Sequence, residues 1–202
     1  LDIDWGYQGR LQHVIVQQAN DTGDHIVESD NVSTLEVGYL TEPRSNPIVA
    51  NFTFISRGHD DIFKLKEGVS GQYYNGVAAV LNEASGKSTG CIETTLAETA
   101  SDGAITPKFS FNSVAFDCDS YIATDRDNTA NPPTGATIAE IQTIVEAGSN
   151  NLYGANSGGG SYVNNLGKAF NSASPPVLVN TNSTVVNGPA ETAATVTAIP
   201  AA

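Results

Sequence analysis

The residues best suited to chemistry in this 202-residue chain are its clustered carboxylates. In the segment DCDSYIATDRDN, Asp117, Asp119, Asp125 and Asp127, with Asn128 beside them, offer hard oxygen ligands of the kind that hold Ca²⁺. The spacing is not that of an EF-hand, because no Gly follows Asp127 and no Glu closes the loop. Calcium is the one cofactor this pattern suggests. A second group, His59, Asp60 and Asp61, also carries metal-ligand types, but only His13 and His25 could add further imidazoles. That stretch reads as a solvated hairpin tip. The run Gly86-Lys87-Ser88-Thr89-Gly90 has G-x-S-x-G spacing but leads into a strand-like segment rather than a helix, so it is not read as a nucleophile elbow and no catalytic residues are assigned.

The opening Leu1-Asp2-Ile3-Asp4-Trp5 resembles the second half of the D-x-x-D-x-D-W-E-Y segment of family-18 glycoside hydrolases. In that family the acid is the Glu after the aromatic residue, and here Gly6 stands in its place. Without a carboxylic acid at that point nothing protonates a leaving glycosidic oxygen. Asp2 and Asp4 are instead expected to flank a first strand. Trp5 and Tyr7, with Tyr73 and Tyr74, are candidates for stacking on a glycan.

Two cysteines, Cys91 and Cys118, flank a stretch with two strand-like halves around Ser101-Asp102-Gly103. A hairpin there would bring the thiols together at its open end, so a disulfide is expected, and with it an oxidising compartment. Sequons for N-glycosylation occur at Asn20, Asn31, Asn51 and Asn182. Asn20 and Asn31 fall in expected loops and Asn51 on the polar face of an expected strand, which makes the chain a candidate glycoprotein.

Elements to position these groups are read from periodicity. Residues 11–18 (LQHVIVQQ), 33–40 (STLEVGYL) and 48–56 (IVANFTFIS) alternate apolar and polar, as does KFSFNSVAF further on, and DIFKLK, GVAAVLNE and GCIETTLA follow at short intervals between them. In residues 48–56 the alternation puts Ile48, Ala50, Phe52 and Phe54 on one face. Short, evenly spaced strands with Gly-rich turns point to a mainly β fold, an antiparallel β-sandwich or Greek-key barrel. Near residues 137–172 the pattern becomes helical. Thr137 and Glu140 form a capping box, Ile138, Ile141, Ile144 and Val145 make an apolar stripe, and Gly148 ends the helix. The expected organisation is one β-rich domain over 1–202: main sheets in 1–136, a helical excursion in 137–173 and terminal strands in 174–202.

Composition narrows the function. Nine basic residues against 22 acidic give a net charge of −13, which repels nucleic acid and anionic membranes. No apolar run reaches the ~20 residues of a membrane span. The chain begins at Leu1 and contains no Met, as expected where a leader has been removed. The run Leu11 to Gln18 has no Pro, Lys or Glu to protect an edge, and Thr192 to Ala202 carries no charge. These features fit an extracellular or cell-surface structural protein, a subunit of a filament, sheath or surface layer that joins other copies of itself by strand exchange. A secreted carbohydrate-binding module, with glycans as partners, and a small secreted hydrolase are the alternatives.

Overall fold

A computed structural model describes residues 1–18, 23–31, 40–56, 60–80, 90–94, 109–118, 120–124 and 137–153. The strands are β1 (Asp2–Ile3), β2 (Arg10–Gln17), β3 (Val27–Ser29), β4 (Ile48–Ser56), β5 (Phe63–Leu65), β6 (Gly71–Val80), β7 (Gly90–Thr94), β8 (Phe109–Asp117), β9 (Ser120–Thr124) and β10 (Leu152–Tyr153). One helix among the described residues, α1 (Ile138–Glu146), lies between β9 and β10.

Odd and even strands go to different sheets. One sheet has the order β1-β3-β5-β7-β9 and the other β10-β8-β6-β4-β2. Every pairing is parallel. The chain therefore winds as a solenoid: each turn lays one strand on the first sheet, crosses, and lays one on the second. The expected antiparallel sandwich or Greek-key barrel is overturned. Alternation along a strand reports the direction of its side chains, not which strand lies beside it, so it cannot tell parallel from antiparallel pairing.

Residues in register form columns along the solenoid. In the even sheet Leu11, Val49, Tyr73 and Phe111 make one inward column, and Val16, Phe54, Ala78, Phe116 and Tyr153 another. Between them Val14, Phe52, Gly76 and Val114 alternate in size. A Cβ on Gly76 would lie 2.3 Å from the Phe52 ring, so glycine there makes room for the ring. From the odd sheet, Val27, Phe63, Ile92 and Ile122 face them. Phe63 packs edge-on against Tyr73 at 5.0 Å and Phe111 at 5.3 Å, joining the two walls.

One left-handed residue bends each long even strand. His13 (φ 57°), Asn51 (55°), Asn75 (57°) and Ser113 (57°) occupy the same register position. Asn and His tolerate this conformation better than most residues. Asn75 Nδ2 donates to Asn51 Oδ1 at 2.6 Å, tying consecutive turns along the column. The bend also corrects the expected face of β4. Val49, Phe52 and Phe54 join the main core cluster, whereas Ile48 and Ala50, also buried, lie outside it, because the left-handed residue shifts the alternation by one place.

Backbone hydrogen bonds show the same shift. Ile48 N donates to Gly9 O and Gln72 N to Pro47 O, toward the preceding turn. Past the bend, Gln18 N donates to Ile55 O, toward the following turn. Simple alternation from Arg10, the partner of Ile48, would send Gln18 the other way. In β8, Ser113 N donates to Ser149 O and Val114 N to Asn151 Oδ1, so two successive amides face the following turn. The change of side thus falls between the left-handed residue and the next.

Helix α1 covers the β8 end. Its capping box is complete: Glu140 N donates to Thr137 Oγ1 at 3.2 Å, and Thr137 N to Glu140 Oε2 at 2.7 Å. Ile141 and Val145 are fully buried, while Ile138 is exposed, so the working stripe is narrower than expected. Gly148 serves a close approach, since a Cβ there would stand 1.7 Å from Phe111 O.

Candidate functional site

Cys91 lies on β7 and Cys118 directly after β8, with Cα atoms 5.6 Å apart in a disulfide. The route is not a hairpin. β7 and β8 belong to different sheets, and β7 pairs with β9, just beyond Cys118. The bridge therefore ties one turn of the solenoid to the next. The expected turn at Ser101 to Gly103 lies outside the described residues.

The outer face of the odd sheet carries a column of charges. Asp2, Glu28, Lys64 and Glu93 share a register column. Lys66 Nζ sits 2.7 Å from Glu28 and 3.5 Å from Asp30, and Lys64 Nζ sits 3.3 Å from Glu93. The Lys66 bond holds the Glu28 carboxyl below its usual range. Burial pushes Asp30 up to about 6 against the pull of Lys66.

Beside this column, Asp60, Asp61 and Glu93 bring carboxylate oxygens within 4.8 Å of one another. Asp61 lies in the crossing from β4 to β5 and is buried, not at a solvated hairpin tip. β4 and β5 are in different sheets. Asp61 Oδ1 accepts from Gly90 N, and His25 Nδ1 stands 3.1 Å from Asp61 O. Burial, then a hydrogen bond and charge repulsion from Glu93, raise the Asp61 carboxyl to about 8. The pair can share a proton, or with Asp60 hold a cation once that proton leaves. Sequence reasoning missed Glu93, since only the parallel stacking of β7 on β5 brings it to Asp61 and no local motif signals that.

The expected calcium residues are only partly described. Asp117 is partly buried at the end of β8, and burial raises it to about 6. Asp119, Asp125 and Asp127 lie outside the described residues, as does His59. Of the sequons, Asn20 and Asn182 also lie outside them. Asn31 is fully buried; its Nδ2 donates to Thr41 O and its Oδ1 accepts from Ser45 N. It presents no glycan acceptor in the folded chain. Asn51 is committed to the left-handed column.

At the start of the solenoid the described residues leave an open edge. Among the described residues β2 pairs with β4 alone, and β1 with β3 alone. Leu11, Val14 and Val16 point inward but are only partly covered, whereas Val49, Phe52 and Phe54 below them are buried. By the hydrogen-bond pattern above, the backbone groups of Arg10, Gln12, Ile15 and Gln17 face away from β4. Ile15 is 77 % exposed, and near it in sequence Trp5 is 62 % exposed. Trp5 (φ 49°) and Gly6 (φ 79°) form a turn closed by Tyr7 N to Asp4 O at 3.2 Å. Trp5 N bonds Asn31 O and Gly6 N bonds Ser45 Oγ, which holds the indole on a fixed support. Tyr73 is wholly buried and cannot stack on a ligand; Tyr74 is partly exposed with its hydroxyl on Gln72 Oε1.

No family model, curated protein or solved structure matches this chain. Among the described residues no helix is long and apolar enough to cross a membrane. The disulfide is compatible with a secreted protein.

Proposed function

We propose that this protein is an extracellular structural subunit whose first turn receives a strand from another copy. The observation that carries the reading is the open β2 edge: among the described residues no strand pairs with its outer side, and the apolar row beneath is half covered. Edges of this kind are normally blunted by Lys, Pro or a bulge. β2 has Arg10 at its start and otherwise none of these side chains, and its bend at His13 recurs in β4, β6 and β8, where pairing continues. A donor that fits one end of a subunit and leaves from elsewhere makes a head-to-tail contact, which propagates into a fibre unless the rotation closes. The disulfide and the buried aromatic core suit a durable particle outside the cell. Native mass measured over a wide concentration range tests this. Particles well above 21.0 kDa that grow with concentration are expected, and a monomer throughout would refute it.

The Trp5 turn supports a second reading, glycan binding. An exposed indole on a braced turn is a platform for a sugar face. Binding on a glycan array that is lost in Trp5→Ala would favour it, and an unchanged or blank array would remove it.

A further inference from the structure

Asp30 and Lys66 sit at the ends of two neighbouring odd strands. β3 pairs with β5 as far as Ser29 with Leu65, and the next places in that register are Asp30 and Lys66. The backbone fixes them there. Lys66 N donates to Ser29 O at 3.0 Å, Asp30 N to Ile3 O at 2.7 Å and Asn31 N to Glu67 O at 3.2 Å. Lys66 Nζ stands 3.5 Å from Asp30 Oδ2 and 2.7 Å from Glu28 Oε1. Asp30 is only 9 % exposed, and among the described residues its buried Oδ1 has no hydrogen-bond partner. A carboxylate held this way is costly, because burial penalises its charge and one oxygen goes unpaired. Glu67 and Glu28 add repulsion, and Lys66 offsets only part of it.

An amine, a buried acid and a second carboxylate on the same nitrogen are the groups that an amide condensation needs. We propose that Lys66 Nζ condenses with the Asp30 side chain to form an intramolecular isopeptide bond, with Glu28 as the catalytic base and acid. Such a bond is independent of assembly, since a monomer carries it equally well.

The condensation balances within the three side chains. A proton passes from the Lys66 ammonium to the Asp30 carboxylate, leaving a neutral amine beside a neutral acid. Asp30 holds that proton readily, because burial raises it to about 6. The amine lone pair attacks Asp30 Cγ, the C–N bond forms, and the carbonyl electron pair moves to oxygen. The nitrogen is now positively charged and far more acidic than an ammonium. Glu28 can therefore take one of its protons, although Lys66 holds the Glu28 carboxyl low. Glu28 passes that proton to the Asp30 hydroxyl as the carbonyl re-forms, and water leaves. The three ammonium protons end as one amide hydrogen and the two hydrogens of the water. Between separate molecules in water this condensation is unfavourable, but oriented contact supplies effective concentrations of up to roughly 10⁵–10⁸ M. Loss of two largely buried charges favours the amide as well. The product ties β3 to β5 near the start of the solenoid, as the disulfide ties β7 to the end of β8.

Mass spectrometry of the full chain, with the disulfide reduced, tests the bond. The intact mass should fall short of the sequence by one water. Trypsin should fail to cut after Lys66 and should release a branched peptide whose fragments join Asp30 to Lys66. Lys66→Arg keeps the charge but cannot form this amide, and should show the full mass. In freshly refolded protein, Glu28→Gln should slow the link by about 10²-fold or more. If Lys66→Arg fails to fold, the branched peptide of wild type decides the matter alone. A wild type that keeps its full mass and is cut after Lys66 on prolonged incubation would overturn the proposal, as would a water loss that persists in Lys66→Arg. A link that forms as fast in Glu28→Gln would overturn the role of Glu28.

Discussion

Replacing Asn75 separates the two costs of bending each turn. Asn75 holds φ 57° in mid-strand and donates to Asn51 Oδ1 at 2.6 Å. Alanine loses the hydrogen bond, roughly 1 kcal/mol, and bears the left-handed penalty of roughly 1–2 kcal/mol, so Asn75→Ala should cost about 2–3 kcal/mol. Glycine also loses the bond but adopts this φ freely, at a cost in chain entropy of roughly 0.5–1 kcal/mol. Asn75→Gly should therefore be about 1 kcal/mol more stable than Asn75→Ala. Urea denaturation of the three proteins, followed by circular dichroism and tryptophan fluorescence, reads the difference. The slope must stay constant for the midpoints to be compared, and coincidence of the two probes checks that the solenoid melts as one unit. An alanine variant as stable as the glycine variant would mean that residue 75 is not left-handed and that the strands do not bend there.

Other perturbations address other parts of the structure. Removing the bridge with Cys91→Ala and Cys118→Ala should cost about 3.5 kcal/mol for a sequence separation of 27, read as a fall in the urea midpoint; no change would mean that the bridge constrains nothing. Asp61 is raised to about 8 from an unfolded value of 3.8, so the folded chain keeps a proton that the unfolded chain releases. Its stabilisation is complete below about pH 4 and is lost as pH rises through 8. Asp61→Asn should flatten stability over that window, and an unaltered pH profile would refute the buried acid pair. Ile141→Ala, at a fully buried site, should cost about 2–5 kcal/mol in the same denaturation assay, and Ile138→Ala far less; equal effects would contradict the observed helix face.

The residues of the elements were legible in the sequence, and their partners were not. IVANFTFIS was read as a strand over 48–56 and is one. The capping box at Thr137 and Glu140 was also read correctly, because its signal is local. Parallel against antiparallel pairing is set by where the chain goes between strands, and period-two alternation is blind to that. Asn51 looked like a polar outward residue, but its backbone is left-handed, so half of the face assigned to β4 was reversed. The sign of the error lay in the sequence all along, in four hexads with a polar residue at the third place. Seeing it required knowing that residue 13 stacks on 51, 75 and 113. The Asp61–Glu93 pair was hidden for the same reason, since its members stand 32 positions apart in the sequence.

Amide hydrogen exchange on dispersed and assembled protein tests the open edge most directly. In dispersed subunits the amides of Gln12, Ile15 and Gln17 should exchange freely, while those of Leu11, Val14 and Val16, which face β4, should be protected. On assembly the first three should become protected in that same alternating pattern, broken at His13. Amides at Gln12 and Ile15 that stay fast in the assembled particle, or that are already slow in the monomer, would contradict strand addition at β2.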